Sequence, residues 1–345
     1  MGASSLVRIL YVVYALLVAY ASLYPLEGWR DPGVSPFAFL EQGWPRTLLR
    51  FDVMTNILGY APLGFLGVAA LQPRVRGAAA LAAALAAAMA LSLTLEALQS
   101  YLPTRTASNL DFLCNVAGAA LGAALAPMLL ARLDGLGLRE RAFLPGRDID
   151  FGLVLLALWL FVQLNPATLL FGAGDLRPLL GPGPLRGHAP EFFIRTEALI
   201  AAANLVAVGL LLSALVAPER PVRWMLAALV AAALVVKSMA FALMMQSEAF
   251  AWLTPGAQAG LAIGLALAFA CLGLPRTARL VFAAMLVMAA TVLVNTAPPN
   301  PYLTATLKVW QQGTFLNFNG MTRLVGALWP FAALGYLIYL AARRR

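Results

Sequence analysis

Eight polar side chains in the first third of the chain have the types and the spacing to do chemistry. They comprise carboxylates, carboxamides, a hydroxyl and a guanidinium: Asp52, Asn56, Ser92, Glu96, Gln99, Arg105, Asp111 and Asn115. Carboxylates can act as general bases or hold a cation, and amides and hydroxyls can hydrogen-bond a polar headgroup. In apolar sequence each such group is costly unless it is paired, so the set requires either a function or partners.

The spacing of these residues places them on shared helix faces. Residues three or four apart lie on the same side of an α-helix. The pairs with this spacing are Asp52 with Asn56, Ser92 with Glu96, Glu96 with Gln99, and Asp111 with Asn115. The sequence therefore predicts three polar helix faces, with Arg105 on the link between the second and the third helix.

The elements that must carry these faces are membrane helices. Of the 345 residues, 62% are hydrophobic and only 11% are charged, and the mean hydropathy is +0.83. An average soluble domain has about 25% charged residues, so a water-soluble enzyme is excluded. The apolar runs are continuous, which excludes an alternating β-barrel pattern. We expect an all-α polytopic membrane bundle of about ten transmembrane helices. The predicted spans are approximately 6–24, 53–71, 77–98, 111–131, 151–171, 198–217, 222–244, 257–274, 277–296 and 323–342.

The basic residues predict the orientation of these spans. Alternate loops hold 14 Lys and Arg on one side and 9 on the other, and Lys237 lies within a span. The positive-inside rule then places both termini in the cytoplasm. In that orientation all three polar faces lie at the extracytoplasmic ends of their helices, in one outward-facing pocket. The formal net charge of +9 is therefore explained by the orientation of the membrane helices. We do not expect nucleic acid as a partner.

The basic loop 132–150 predicts the domain organisation. We expect a four-helix membrane region at 1–135, a basic cytoplasmic linker at 136–150 and a further six-helix membrane region at 151–345. A motif also recurs within the first region, which predicts a parallel helix-hairpin repeat. Its two copies are Asp52-x3-Asn56-x2-Gly59 and Asp111-x3-Asn115-x2-Gly118. The second region carries a weaker echo of this region, at Asn204 and at Ser238…Gln246.

Structural roles compete with functional ones for most of these residues. An Asp at a helix start can cap free N–H groups, and Asn or Gln can join membrane helices through hydrogen bonds. Glu96 lies within its helix, where capping offers no explanation. Two roles stay open for Arg105, namely a salt bridge to Asp111 or a contact with a ligand.

The whole set resembles the VanZ family, named for a teicoplanin-resistance protein. The resemblance covers roughly residues 8–132 and implies a multi-pass protein of the bacterial cytoplasmic membrane with a role in the cell envelope. It does not supply a reaction. The pattern that carries it runs Asp52-x3-Asn56, Pro62-x-Gly64, Ser92-x3-Glu96-x2-Gln99, Arg105, and Asp111-x3-Asn115-x2-Gly118-x3-Gly122.

Three functions remain open from the sequence. The first is binding of an amphiphile, a membrane lipid or a lipid-linked cell-wall precursor, with a possible effect on glycopeptide susceptibility. The second is catalysis on a lipid-linked substrate, with Glu96 as the candidate base and Asp52 and Asp111 as orienting groups. If a metal takes part, its ligands would be Asp52, Glu96 and Asp111. The third is a non-catalytic envelope scaffold. The sequence assigns no cofactor and no protein partner.

Overall fold

The computed structural model describes residues 5–44, 50–180, 188–244, 249–301 and 316–343. Within these ranges the regular structure is helical, apart from one isolated β-bridge between Phe143 and Val216. This confirms the all-α fold class. The α-helices are α1 (Ser5–Leu23), α2 (Arg50–Leu71), α3 (Gly77–Gln99), α4 (Asn109–Leu136), α5 (Leu138–Ala142), α6 (Arg147–Val162), α7 (Arg177–Leu180), α8 (Pro190–Leu215), α9 (Val222–Met244), α10 (Pro255–Cys271), α11 (Arg276–Thr296) and α12 (Leu316–Ala342).

Eight of the helices in the described ranges are long and apolar enough to cross a membrane. They are α1, α2, α3, α4, α8, α9, α11 and α12. Two of the ten predicted spans are shorter than expected. Helix α10 has 17 residues, and α6 has 16 and ends at Val162 instead of continuing to 171.

The early end of α6 has a local cause. Asn165 precedes a proline, which disfavours helical backbone at that position. The polar side chains that follow α6 then bond to main-chain N–H groups of the next residues. Gln163 accepts from Phe171 N at 3.0 Å, and Asn165 accepts from Ala167 N at 2.9 Å. Residues 163–176 are therefore an ordered, non-helical segment.

The chain divides into two compact units, Met1–Arg141 and Ala142–Arg345. The three-part domain organisation expected from the sequence stays a prediction. Of the two residues that define the weaker echo in the second unit, Ser238 lies in α9, and Gln246 lies outside the described residues.

Unit 1 is built on close packing of α2 against α4. A Cβ at Gly118 would overlap the carbonyl of Ile57, and a Cβ at Gly122 would overlap the carbonyl of Ala61. From the first contact to the second, the position moves four residues forward in both helices. The two helices are therefore parallel, as the repeat predicts. Helix α3 runs antiparallel to both and contributes alanines to the core, spaced four apart: Ala80, Ala84 and Ala88.

Unit 2 is built around α8, which is buried along most of its length. Helix α10 packs against it through glycines at four-residue intervals. Gly256 lies against the Ile194 carbonyl, and Gly260 lies against the Ala198 carbonyl. These contacts also advance together, so α8 and α10 are parallel.

Candidate functional site

The three predicted polar faces meet at one end of unit 1. Because α2 and α4 are parallel and α3 is antiparallel to them, the start of α2, the end of α3 and the start of α4 lie together. We call this region the polar end. The link between α3 and α4, residues 100–108, also lies there, and the end of α1 is held to it by hydrogen bonds.

Two side-chain hydrogen bonds join the helices at the polar end. Asn56 Nδ2 on α2 donates to Asp111 Oδ1 on α4 at 2.7 Å. Asn115 Nδ2 on α4 donates to Ser92 Oγ on α3 at 3.0 Å, and both of these residues are buried. Side chains from the predicted polar faces therefore contact one another across helix boundaries.

Glu96 is the buried carboxylate of this cluster, with 3% of its surface exposed. Its Oε2 accepts a hydrogen bond from the main-chain N–H of Ser108 at 2.9 Å. Ser108 immediately precedes α4, and its carbonyl accepts from Phe112 N, so Glu96 lies at the positive end of that helix dipole. Asp111 and Arg105 are charged groups close enough to interact with it.

Asp52 stands apart from the others. It is exposed, and its carboxylate makes no hydrogen bond with any residue in the described ranges. It lies close enough to Asp111 for their charges to interact. Within the described ranges no three His, Cys, Asp or Glu side chains form a group that could hold a metal ion. The proposed metal set of Asp52, Glu96 and Asp111 therefore gains no support from the geometry and stays a prediction.

Gln99 and Arg105 bind the main chain of α1. Gln99 Nε2 donates to the Ser22 carbonyl at 3.0 Å. Arg105 donates from Nε to the Tyr24 carbonyl at 3.0 Å and from Nη2 to the Ala21 carbonyl at 2.9 Å. Cationic donors at a helix C-terminus satisfy its last carbonyls and favour its dipole. Burial lowers the pKa of Arg105 below its ordinary value, and nearby Glu96 opposes that shift.

Neither of the two roles left open for Arg105 is observed. In the part of the chain that the structure describes, it forms no salt bridge with Asp111, and two of its three nitrogens already bond to α1. Its ligand-binding role therefore stays a prediction, and its visible role is to anchor α1.

Two residues at the polar end escape the sequence reasoning. One is Ser108, described above. The other is Tyr60, which is buried and lies four residues after Asn56, on the same face of α2. Its hydroxyl lies near Ser92 and Glu96. Its spacing could have identified it, since Asp52, Asn56 and Tyr60 are four residues apart and lie on one face of α2.

The polar end contains two buried atoms without hydrogen-bond partners among the described residues. They are Tyr60 Oη, which lies near the Ser92 side chain without meeting the geometry of a hydrogen bond, and Asn115 Oδ1. Leaving a buried polar atom unsatisfied costs about 1–3 kcal/mol. Most buried polar groups in proteins are satisfied by protein, water or ligand. Both atoms lie close to Ser92, so a further hydrogen-bonding group at this place would be stabilising.

Fold and site together define a multi-pass helical membrane protein with a polar cluster at one end of its first four long helices. Residues 9–130 of this chain match the family model described as VanZ/LLP1. The match confirms the VanZ-like family over that segment, and it includes all eight predicted site residues. No curated protein and no solved structure matches the chain.

Proposed function

We propose that this protein binds the polar headgroup of an amphiphile, a lipid or a lipid-linked cell-wall precursor, at the polar end of unit 1. The observation that carries the proposal is a pair of buried atoms without hydrogen-bond partners among the described residues, Tyr60 Oη and Asn115 Oδ1. Both lie close to Ser92, in the cluster that also contains the buried Glu96 carboxylate. A headgroup would supply the missing hydrogen bonds, and the surrounding apolar helices would hold its hydrocarbon part.

The residues favour a particular headgroup chemistry. Glu96 and Asp111 offer acceptors, Asn115 Oδ1 offers another, and the Tyr60 hydroxyl can donate or accept. Arg105 is committed to α1, so the cluster is poorly suited to a bare phosphate. We therefore propose a ligand rich in hydroxyl, amide or amine donors, such as a sugar, a peptide or a glycerol headgroup.

The proposal includes a location. The protein would lie in the bacterial cytoplasmic membrane with both termini in the cytoplasm and the polar end at the outer leaflet. The excess of Lys and Arg in alternate loops supports this orientation. A green fluorescent protein fused after Arg345 should fluoresce in cells, and alkaline phosphatase fused there should be inactive. The opposite pair of results would contradict the orientation.

One observation favours a scaffold as the second candidate. The hydrogen bonds from Asn56 to Asp111 and from Asn115 to Ser92 join different helices, as expected of polar residues that hold a membrane bundle together. A scaffold needs these bonds for folding and has no headgroup preference. The two candidates therefore differ in what a conservative change at Glu96 does.

The deciding experiment uses the full chain in phosphatidylcholine nanodiscs. Native mass spectrometry would compare the retention of monoglucosyldiacylglycerol with that of diacylglycerol, which lacks the sugar. The wild-type protein should prefer the glucolipid, and Glu96→Gln should weaken that preference about tenfold, because hydrogen bonds to a charged group contribute about 1.5–3 kcal/mol.

The matched control is Glu27→Gln, which removes the same charge from an exposed residue of the same unit. It should keep the preference. The melting temperature of Glu96→Gln should stay within about 3 °C of the wild type, a shift that corresponds to less than about 1 kcal/mol. A wild type without preference, or a Glu96→Gln protein that loses stability in proportion to binding, would reject headgroup binding in favour of the scaffold.

A further inference from the structure

Unit 2 contains a cavity of about 610 Å³ that the VanZ-like segment does not reach. Its wall is formed by the non-helical segment 163–176 together with residues of α8, α11 and α12. Small-molecule pockets usually measure about 300–1,000 Å³. Phe193, Ile200 and Val294 supply apolar wall, and Asn165 and Thr322 are buried polar residues that line it.

Hydrogen bonds from the surrounding helices fix the wall of this cavity. Lys237 on α9 is buried and donates from Nζ to the Asn165 carbonyl at 2.8 Å and also to the Thr168 carbonyl. Asn295 on α11 donates to the Gly174 carbonyl at 2.6 Å and accepts from Leu176 N at 2.8 Å. In a membrane, irregular backbone is tolerated where it is buried in protein or lines a cavity. The cavity is therefore a preformed feature of unit 2.

Among the described residues that line the cavity, one cation has no partner within the described ranges. Asp175 accepts from Arg177 at both of its oxygens, at 2.9 and 2.7 Å. Glu197 accepts from Thr254 at 2.7 Å and lies near the buried ammonium of Lys237. Arg323, half-buried in the lining, makes no hydrogen bond or ion pair with any residue in the described ranges.

We propose that this cavity binds an amphiphile with an anionic headgroup, whose oxyanion pairs with Arg323 and whose carbon chain lies on the apolar wall. A guanidinium matches phosphate and carboxylate geometry through two parallel N–H donors. The site is separate from the polar end of unit 1 and takes the opposite chemistry, an oxyanion instead of a donor-rich headgroup. Ligand binding in this cavity does not depend on headgroup binding at the polar end.

The test measures lipid retention by native mass spectrometry on the full chain from phosphatidylcholine nanodiscs. The probes are dioleoyl phosphatidic acid and dioleoylglycerol, which differ only in the phosphate. The wild type should retain phosphatidic acid at least about tenfold better, and Arg323→Gln should abolish that difference. The control Arg195→Gln removes an exposed cation that is not in the lining, and it should behave like the wild type.

A second variant keeps the proposal falsifiable if Arg323→Gln fails to fold. Ala167→Phe keeps every charge and narrows the cavity at a lining residue, so it should also lose phosphatidic acid. A wild type that retains both lipids equally, or folded variants that keep the preference, would overturn the proposal. Glycerol 3-phosphate binding as tightly as phosphatidic acid would also overturn it, because the apolar wall would then contribute nothing.

Discussion

Within the described ranges, Asn115 uses only half of its carboxamide. Its Nδ2 donates to Ser92, while its Oδ1 has no partner among the described residues. At the other asparagine of the cluster, Asn56 donates to Asp111. The two asparagines occupy equivalent places in the sequence repeat, yet only one of them leaves a buried acceptor open. This asymmetry favours Asn115 over Asn56 as a contact for the proposed headgroup.

Arg105 gives the first prediction at the residue scale. Replacing it with Gln removes the cationic donors that bind the Ala21 and Tyr24 carbonyls. Hydrogen–deuterium exchange at residues 21–26 should become about tenfold faster, which corresponds to a loss of about 1.4 kcal/mol of local stability. Glucolipid preference should change less than about twofold, because two of the three guanidinium nitrogens of Arg105 already donate to main-chain carbonyls. Lost preference with unchanged exchange would instead assign Arg105 to the ligand.

The residue scale also shows where sequence reasoning succeeds and where it stops. Spacing predicts that Ser92 and Glu96 share one helix face, because a helix has a fixed period, and both are buried in the structure together with Asn115. It could not reveal that Arg105 bonds to α1, since a main-chain carbonyl has no residue type to recognise. Tyr60 was passed over because tyrosine is counted among the hydrophobic residues of the composition, although its hydroxyl is polar.

At the scale of elements, glycines decide how closely α2 and α4 approach. Gly118 lies against the Ile57 carbonyl, whereas its repeat partner Gly59 has open space where a Cβ would be. The same motif therefore places one glycine in the interface and one outside it. The sequence predicts the parallel direction of the pair, but the crossing that distinguishes the two glycines depends on packing.

The repeat provides a matched pair of variants. Gly118→Ala should destabilise the protein by about 1–3 kcal/mol, because the added methyl overlaps backbone that cannot move independently. Gly59→Ala should be neutral or slightly stabilising, since alanine is the better helix former. Thermal unfolding in detergent, followed by intrinsic fluorescence, measures both. Equal effects at the two positions would mean that the α2–α4 crossing is wrong.

Helix α6 shows a second limit of sequence reasoning. Hydropathy extends its span to 171, because residues after Asn165 are again apolar. The helix nevertheless ends earlier than the mean hydropathy indicates. The Gln163 and Asn165 side chains accept hydrogen bonds from main-chain N–H groups that would otherwise bond within a helix. Pro166 marks the break, and the buried Lys237 compensates two freed carbonyls. Lys237 lies on another helix, so the local sequence around residue 165 cannot reveal these hydrogen bonds.

At the scale of the whole molecule, the two units share one packing device. In unit 1, α4 packs parallel to α2, and in unit 2, α10 packs parallel to α8. Both contacts are made through glycines four residues apart. The polar residues differ between the units, so the two proposals assign different ligands to one common way of packing helices.

The proposed envelope role predicts an effect on whole cells. Expression of the wild-type chain in a teicoplanin-susceptible bacterium should raise the minimum inhibitory concentration, if headgroup binding acts on cell-wall precursors. Glu96→Gln at equal membrane abundance should give the vector value, and Glu27→Gln should give the wild-type value. If the Glu96→Gln protein protects as well as the wild type, the polar end does not determine teicoplanin susceptibility.

The most direct test of the account is an experimental density map of the full chain in nanodiscs that contain glucolipid. We expect headgroup density within hydrogen-bond distance of Tyr60 Oη and Asn115 Oδ1, next to Glu96. The contradicting result is a polar end in which these atoms bond to other protein groups and no space remains for a ligand.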